Sequence, residues 1–313
     1  MSDFVYDISS FAPCKDKAVC ARVRSITREE ICNHPNPDFH IQVVRDEDIA
    51  ALRINDIFGR IKASDDENKR LVMILPQPHP QYIKVAELIN RYKVNCRNLF
   101  TFNMDEWADQ DGNVAPETYS NGFMYAMLNN FYYNIDEDLR PPLNQIQGIN
   151  NRNLNNYAQM MDDLGGVDLC DGGIGWSGHV AFVEPGSPEY AASSLEEWKT
   201  LGPRIVTLTP FTLAQTALDP DFGMSGDWAN IPPKAATIGP AQVLSARMRN
   251  SFNHFTIAGT DVSWQRFTVR LAAHGPISPD CPASVLQVGP TNMYISEKIA
   301  QNIESCNSIS FYS

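Results

Sequence analysis

The sequence predicts an α/β protein, a three-layer αβα arrangement around a mainly parallel sheet. Three observations carry this. Apolar runs of strand length recur along the chain, among them LVMIL (71–75), LFTFNM (99–104) and VDLCDGGI (167–174), and strands buried on both faces read as such runs rather than as alternation. Segments with helical spacing of apolar residues lie between them. Hydrophobic residues make up 43% and charged residues 20% of the 313 positions. That mixture can bury a large core and excludes a disordered chain, a collagen-like repeat or a coiled coil.

Residues 1–40 are irregular and end in NHPNPDFH (33–40), where the prolines forbid a continuous helix. They are read as an N-terminal extension packed on the main body, with a contact between subunits of a homo-oligomer as a candidate role. Residues 41–313 are read as a single α/β domain. IQVV (41–44) begins it as a strand, and 46–64 is a helix with Ile49, Leu52, Ile57 and Ile61 near helical spacing and acids in its first turn. Helices are expected at 82–94 and 121–135, and near 240–250 and 261–273. IVTLT (205–209), AATIG (235–239), HFTIAG (254–259) and NMYIS (292–296) are the later strands. In such sheets, sites form at the carboxyl ends of strands. That rule singles out the residues directly after 71–75, 99–104, 167–174 and 235–239.

Charge narrows the partners. Lys and Arg total 25 against 37 Asp and Glu, a net −12, which argues against nucleic acid because phosphate-backbone binding needs a basic face. No stretch approaches the roughly 20 apolar residues of a membrane span, and the N-terminus lacks the basic and apolar regions of a signal peptide. Seven scattered cysteines without a CxxC pair read as reduced thiols of a cytoplasmic protein. Cys14, Cys20, Cys32 and His34 can be drawn as a zinc site, but their spacing matches no standard ligand pattern, so no metal is expected.

GIGWSG (173–178) fits the glycine pattern of a dinucleotide loop, with Glu196 or Glu197 at the interval of a ribose ligand. The context disagrees. A long helix should follow, yet HVAFVEPGSPEY carries Pro185 and Pro188, and the acids lie in what reads as a helix start. His179 directly after the glycines and Glu184 five residues later point instead to acid–base chemistry.

At these residues the chain resembles the glucosamine-6-phosphate deaminase/isomerase family. DGGIGWSGHVAFVEPGS (171–187) is similar to the family's GG-(I/V)-G-x-D-G-H-(I/V)-A-F-N-E-P, and TFNMDEW (101–107) to its FNMDEY. IPPKAATIG (231–239) resembles V-P-x-x-A-L-T-(V/I)-G, and CPASVLQ (281–287) resembles P-A-S-x-L-Q. The four occur in the family's order and cover the chain from about residue 41.

The resemblance implies a Rossmann-like fold of the glucosamine-6-phosphate deaminase type. It also implies a cofactor-free reaction in which an amino-sugar phosphate is isomerised from aldose to ketose and loses ammonia. Asp105 matches the carboxylate that moves the C2 proton, His179 the residue that opens the ring, and Glu184 the carboxylate that orients this histidine. Gly172, Gly173, Ser177 and Gly178 fall in the substrate-binding loop, and Lys234 matches a phosphate-binding lysine.

Two departures alter the expectation. Ser177 stands where the family has Asp, and a hydroxyl can hydrogen-bond but cannot supply negative charge. LPQPHPQ (75–81) replaces a glycine- and threonine-rich phosphate loop, and its prolines remove N–H donors. His79 could supply one cationic donor there, and the family's phosphate-binding arginine falls near Leu213. The partner is therefore a small sugar or sugar phosphate whose phosphorylation is in question. Two other readings stand beside the deaminase. One is a 6-phosphogluconolactonase-like hydrolase, which shares the fold, although AFVEPG (181–186) continues as in deaminases. The other is a sugar-binding homologue without turnover.

Overall fold

The computed structural model describes residues 4–77 and 80–304. Seven parallel strands form the central sheet: β1 (Phe39–Val44), β2 (Leu71–Leu75), β3 (Leu99–Asn103), β5 (Ile146–Gln147), β6 (Leu169–Gly172), β9 (Met248–Asn253) and β10 (Thr291–Ser296), in the order β1-β10-β9-β6-β2-β3-β5. A second, antiparallel sheet, β4 (Asp105–Ala108), β8 (Lys234–Thr237) and β7 (Arg204–Thr207), runs in the order β4-β8-β7.

Strand pleating makes the layers. Along β2 every residue is buried, and successive side chains leave on opposite faces. Leu71, Met73 and Leu75 pack in one cluster with Ile57 and Ile61 of α2 (Ile49–Asp66), Val85 and Ile89 of α3 (Tyr82–Tyr92), and Met127 of α4 (Phe123–Asn130). Val72 and Ile74 pack in the other, with Tyr157 and Met161 of α5 (Tyr157–Asp163). That face also takes Val243 of α8 (Pro240–Ser245), Val269 and Ala272 of α9 (Gln265–His274) and Ile299 of α10 (Glu297–Ala300). Two short helices, α6 (Leu195–Trp198) and α7 (Pro210–Thr216), lie between β6 and β8 in the chain.

The segment before residue 41 shares this core. Val23, Ile31 and Phe39 are buried in the second cluster. Within it lies α1 (Lys17–Arg24), a helix the irregular composition did not suggest. Asp16 starts that helix by accepting from the N–H groups of Ala18 and Val19 at 2.9 and 3.0 Å.

The structure corrects several expected elements. The runs at 205–209 and 235–239 form strands, but in the small antiparallel sheet. No strand occupies 254–259, and β9 instead lies at Met248–Asn253, partly inside the expected helix 240–250. Its sequence MRNSFN hides a buried strand because the buried side chains are polar and paired. Arg249 donates to Thr291 Oγ1 at 3.0 Å and Asn250 to Asp56 Oδ2 at 2.8 Å. Leu52 is 37% exposed, and Arg53 takes its place on the buried stripe of α2. The helix expected at 121–135 ends at Asn130, where Phe131 leaves helical geometry (φ −131°, ψ −68°).

Among the described residues, no helix is long and apolar enough to cross a membrane. No group of three or more His, Cys, Asp or Glu there is placed to hold a metal. His34 packs on Phe39 with ring centroids 4.5 Å apart, and Cys32 is exposed.

The chain leaves the parallel sheet at Met104 and enters β4 at Asp105. The Met104 N–H donates to the Leu75 carbonyl at 2.7 Å, and its carbonyl accepts from Ile238 at 3.0 Å. Next to Asp105, Glu106 is a structural cap. Its carboxylate accepts from the N–H groups of Trp107 (2.9 Å), Phe123 (3.0 Å) and Met124 (2.8 Å), tying β4 to the start of α4. Glu106→Ala should leave these buried donors unsatisfied and lower stability by roughly 3–5 kcal/mol in urea unfolding, with Glu106→Gln recovering part of the loss.

Candidate active site

The sheet order reverses at β2, with β3 on one side and β6 on the other. A crevice opens outside the carboxyl ends of strands at such a point. Here it is a cavity of about 620 Å³, lined by Pro76 and Gln77 after β2, Met104 and Asp105 after β3, Gly172 to Gly175 at the end of β6, and Phe252 and Phe255 around the end of β9. His179, Phe182, Arg53, Asp219, Asp221 and Trp264 complete the walls that matter to the chemistry.

The loop after β6 is shaped by close approaches. A Cβ on Gly173 would lie 2.8 Å from the Phe252 carbonyl oxygen, and one on Gly172 would lie 3.2 Å from Met104 Cε. Gly178 has φ +90° and passes Cys281 Sγ, which would be 2.9 Å from an added Cβ. The tightest position is Gly175, where a Cβ would fall 1.9 Å from His179 Nε2, so the imidazole lies directly over that glycine. The glycine pattern thus makes room for a histidine.

His179 is 6% exposed, and its Nδ1 lies 3.0 Å from both Ser177 Oγ and Thr212 Oγ1. The Ser177 hydroxyl donates to Glu184 Oε2 at 2.9 Å, and Thr209 Oγ1 donates to the same oxygen at 3.1 Å. The direct separation from Nδ1 to Glu184 Oε2 is 3.6 Å. Because the serine proton points to Glu184, its lone pair is left for an Nδ1–H, and Nε2 then faces the cavity as an acceptor. Ser177 therefore relays the Glu184 charge. Burial opposes that charge, but His179 and the surrounding hydroxyls hold the Glu184 carboxyl below its usual range.

Asp105 is 4% exposed. The Phe182 N–H points to Asp105 Oδ1 at 3.2 Å and to Thr237 Oγ1 at 3.0 Å. Ala181, just before it, holds a left-handed φ of 52° that aims this donor. Burial pushes the Asp105 carboxyl up to about 7, against the Thr237 hydroxyl, the His179 charge and the Phe182 N–H. Asp219 is likewise pushed up to about 7, by burial and then by Asp221, with His179 opposing.

Of the residues singled out from the sequence, Asp105, His179, Gly172 and Gly173 line the cavity. Ser177 and Glu184 stand behind His179, and Gly178 packs on Cys281. Lys234 does not line it. Thr237 turns toward Asp105, and side chains three apart on a strand point to opposite faces, so Lys234 leaves β8 on the other side. His79 lies outside the described residues. Sequence reasoning passed over Arg53, Gly175, Thr209, Thr212 and Asp219. Gly175 was within reach as the second glycine of the motif. The two threonines flank Pro210 at the start of α7, a position that signals a helix and no chemistry.

A doubly wound sheet with an acid and a histidine converging at its switch point defines an α/β enzyme. No known family model matches the chain, but individual proteins do. The glucosamine-6-phosphate deaminase of Caenorhabditis elegans is 30% identical over 206 residues, 64% of this chain and 69% of the relative. The protein of the same name from Phocaeicola vulgatus is 28% identical over 289 residues, 85% of this chain and 100% of the relative. The chain belongs to the glucosamine-6-phosphate deaminase family. Among solved structures, a monomeric glucosamine-6-phosphate deaminase superposes with a TM-score of 0.63 at 23% identity, covering 84% of this chain and 98% of its own. A 6-phosphogluconolactonase from Leishmania guyanensis does so with 0.57 at 11% identity, covering 85% and 98%. These two likenesses show the shared fold.

Two expectations follow from the geometry. Gly175→Ala should displace the His179 ring and remove activity while the circular dichroism spectrum and the cooperative melt persist. The second concerns stability. With Asp105 held near 7 when folded and near ~4 when unfolded, the folded state binds the extra proton. Its contribution to stability is therefore full below pH ~4 and is lost as pH rises toward about 7. Asp105→Asn should melt a few degrees higher than the parent at pH 8, and this advantage should shrink at pH 5.

Proposed function

We propose that this protein isomerises a 2-amino-2-deoxy aldose to the ketose with release of ammonia. The observation that carries the reading is the convergence of Asp105 and His179 on one cavity of about 620 Å³, large enough to enclose a monosaccharide. His179 Nε2 accepts the anomeric hydroxyl proton and returns a proton to the ring oxygen, which opens the ring. Asp105 then takes the proton from C2 and delivers it to C1. The electron pair of the C2–H bond becomes the C1–C2 double bond while the C1=O π pair moves to O1, which takes a proton from the C2 ammonium. The double-bond pair then forms the new C1–H bond, leaving an iminium at C2. Water adds there, and ammonium departs as the ketone forms. Glu184 acts through Ser177 to hold the Nδ1–H tautomer and to balance the imidazolium. Its burial with full hydrogen bonding makes this a positioning role.

The relay also speaks for turnover rather than binding alone, since the serine substitution leaves the histidine connected to a carboxylate. In the Asp105→Asn variant, ammonia release and exchange of the C2 proton with solvent should fall by roughly 10²–10⁴, while an amino sugar still raises the melting temperature. Undiminished exchange would remove Asp105 from the mechanism, and acid release from a sugar lactone in place of ammonia would favour hydrolysis. A base must be ionised to accept a proton, so kcat/KM should rise with pH up to about 7 and flatten above it. A pH–rate profile of the parent protein checks this.

A further inference from the structure

The deaminase reading leaves open what sits at the far carbon of the sugar, and the inference below rests on that reading. The resemblance assigns the segment after β2 to the phosphate. In this chain its described cavity residues are Pro76, Gln77, Pro80 and Gln81, and prolines offer no N–H to an anion. Facing them are Asp219 and Asp221, directly after α7, with the Gln77 side chain supporting the Asp221 carboxylate. Among the described residues no donor hydrogen-bonds to the Asp219 carboxylate, although it lines the cavity.

The cations that would answer a phosphate are elsewhere or already matched. Lys234 leaves its strand on the opposite face. Leu213, near which the family's arginine falls, packs against the hydrophobic core. Arg53 does line the cavity, but its guanidinium sits 2.6 and 2.7 Å from Asp171 Oδ2, and that carboxylate is fully buried. The pair is neutral. Arg53 Nη2 is itself buried against that carboxylate, so Arg53 is committed to Asp171 and brings no free charge to the cavity. Phe255 and Trp264, which stack with centroids 5.5 Å apart and 19° between planes, add apolar wall to the cavity.

A phosphate ester carries about −1.5 to −2 charge at pH 7, and at the far carbon it would meet two carboxyl groups, Asp219 and Asp221, with no lysine and no arginine other than the paired Arg53 among the described lining residues. A hydroxyl has the opposite preference, since it donates to a carboxylate. We propose that the cavity selects an amino aldose with a free terminal hydroxyl, held by Asp219 and Asp221, and rejects the 6-phosphate of the same sugar.

The test compares glucosamine with glucosamine 6-phosphate, and galactosamine with its 6-phosphate, in the full chain. Ammonia release gives kcat/KM, and the melting temperature of Asp105→Asn reads binding without turnover. The free sugars should be used at least ten-fold better than their phosphates. Asp219→Asn combined with Asp221→Asn should raise KM for the free sugar and narrow the ratio, its melt confirming that the fold persists. Preference for the phosphate, or a ratio unmoved by the double substitution, would overturn the selectivity and leave the deaminase reading standing. No ammonia and no melting shift with any of the four sugars would overturn both.

Discussion

One backbone donor ties the site together. The Phe182 N–H reaches both Asp105 and Thr237, so a single peptide group joins the loop after β6 to β4 and β8. Asp105 belongs to a strand that starts where the chain leaves the parallel sheet, and Thr237 belongs to its antiparallel neighbour, paired with it in register. His179 lies three residues before Phe182, and its distance from Asp105 is therefore set by this attachment and by the tight turn from Gly175 to Gly178. The left-handed Ala181 is the local strain that lets the N–H face inward. The small sheet thus functions as a bracket that brings an acid encoded near residue 105 to an imidazole encoded near residue 179.

The relay behind His179 shows how charge and position separate. A carboxylate in place of Ser177 would put charge two residues from the imidazole. The serine instead passes on a charge that originates at Glu184, 2.9 Å farther along the hydrogen-bond chain. Glu184 can remain ionised while buried because two hydroxyls donate to it, which offsets desolvation. The pair of threonines at the start of α7 supplies the rest of the shell. A substitution that looks like the loss of a catalytic group therefore preserves the connectivity that fixes the histidine tautomer.

What the sequence disclosed and what it concealed divide along physical lines. Apolar runs such as LVMIL announce strands buried on both faces, so β2, β3 and β6, and with them the parallel sheet, were legible. β9 was not, since Arg249, Asn250, Ser251 and Asn253 are buried by pairing rather than by hydrophobicity. Arg53 was hidden for the same reason: a charge on a core-facing stripe reads as a surface residue until its partner, Asp171, is located 118 positions away. Lys234 shows the sensitivity of strand parity. A motif match can be correct for the strand and still place the side chain on the wrong face, because a shift of one residue reverses the direction. The glycine loop and His179 were legible as a unit, but the reason for Gly175 lies in the ring above it, which no spacing rule contains.

The cavity is also where the fold is least at ease. Asp105 and Asp219 are carboxyl groups taken out of water without a full complement of donors, and each titrates near neutrality as a result. Both clusters of the core are continuous with this strained region: Met104 and Phe182 belong to the apolar packing of one face, while Leu75 ends β2 in the packing of the other. Hydrophobic burial on both sides of the sheet is what holds the acids in place against their preference for water. The proposed choice of ligand draws on the same arrangement: the one arginine or lysine among the described lining residues, Arg53, is already bound to Asp171, so a hydroxyl would be easier to seat there than a group that brings further negative charge.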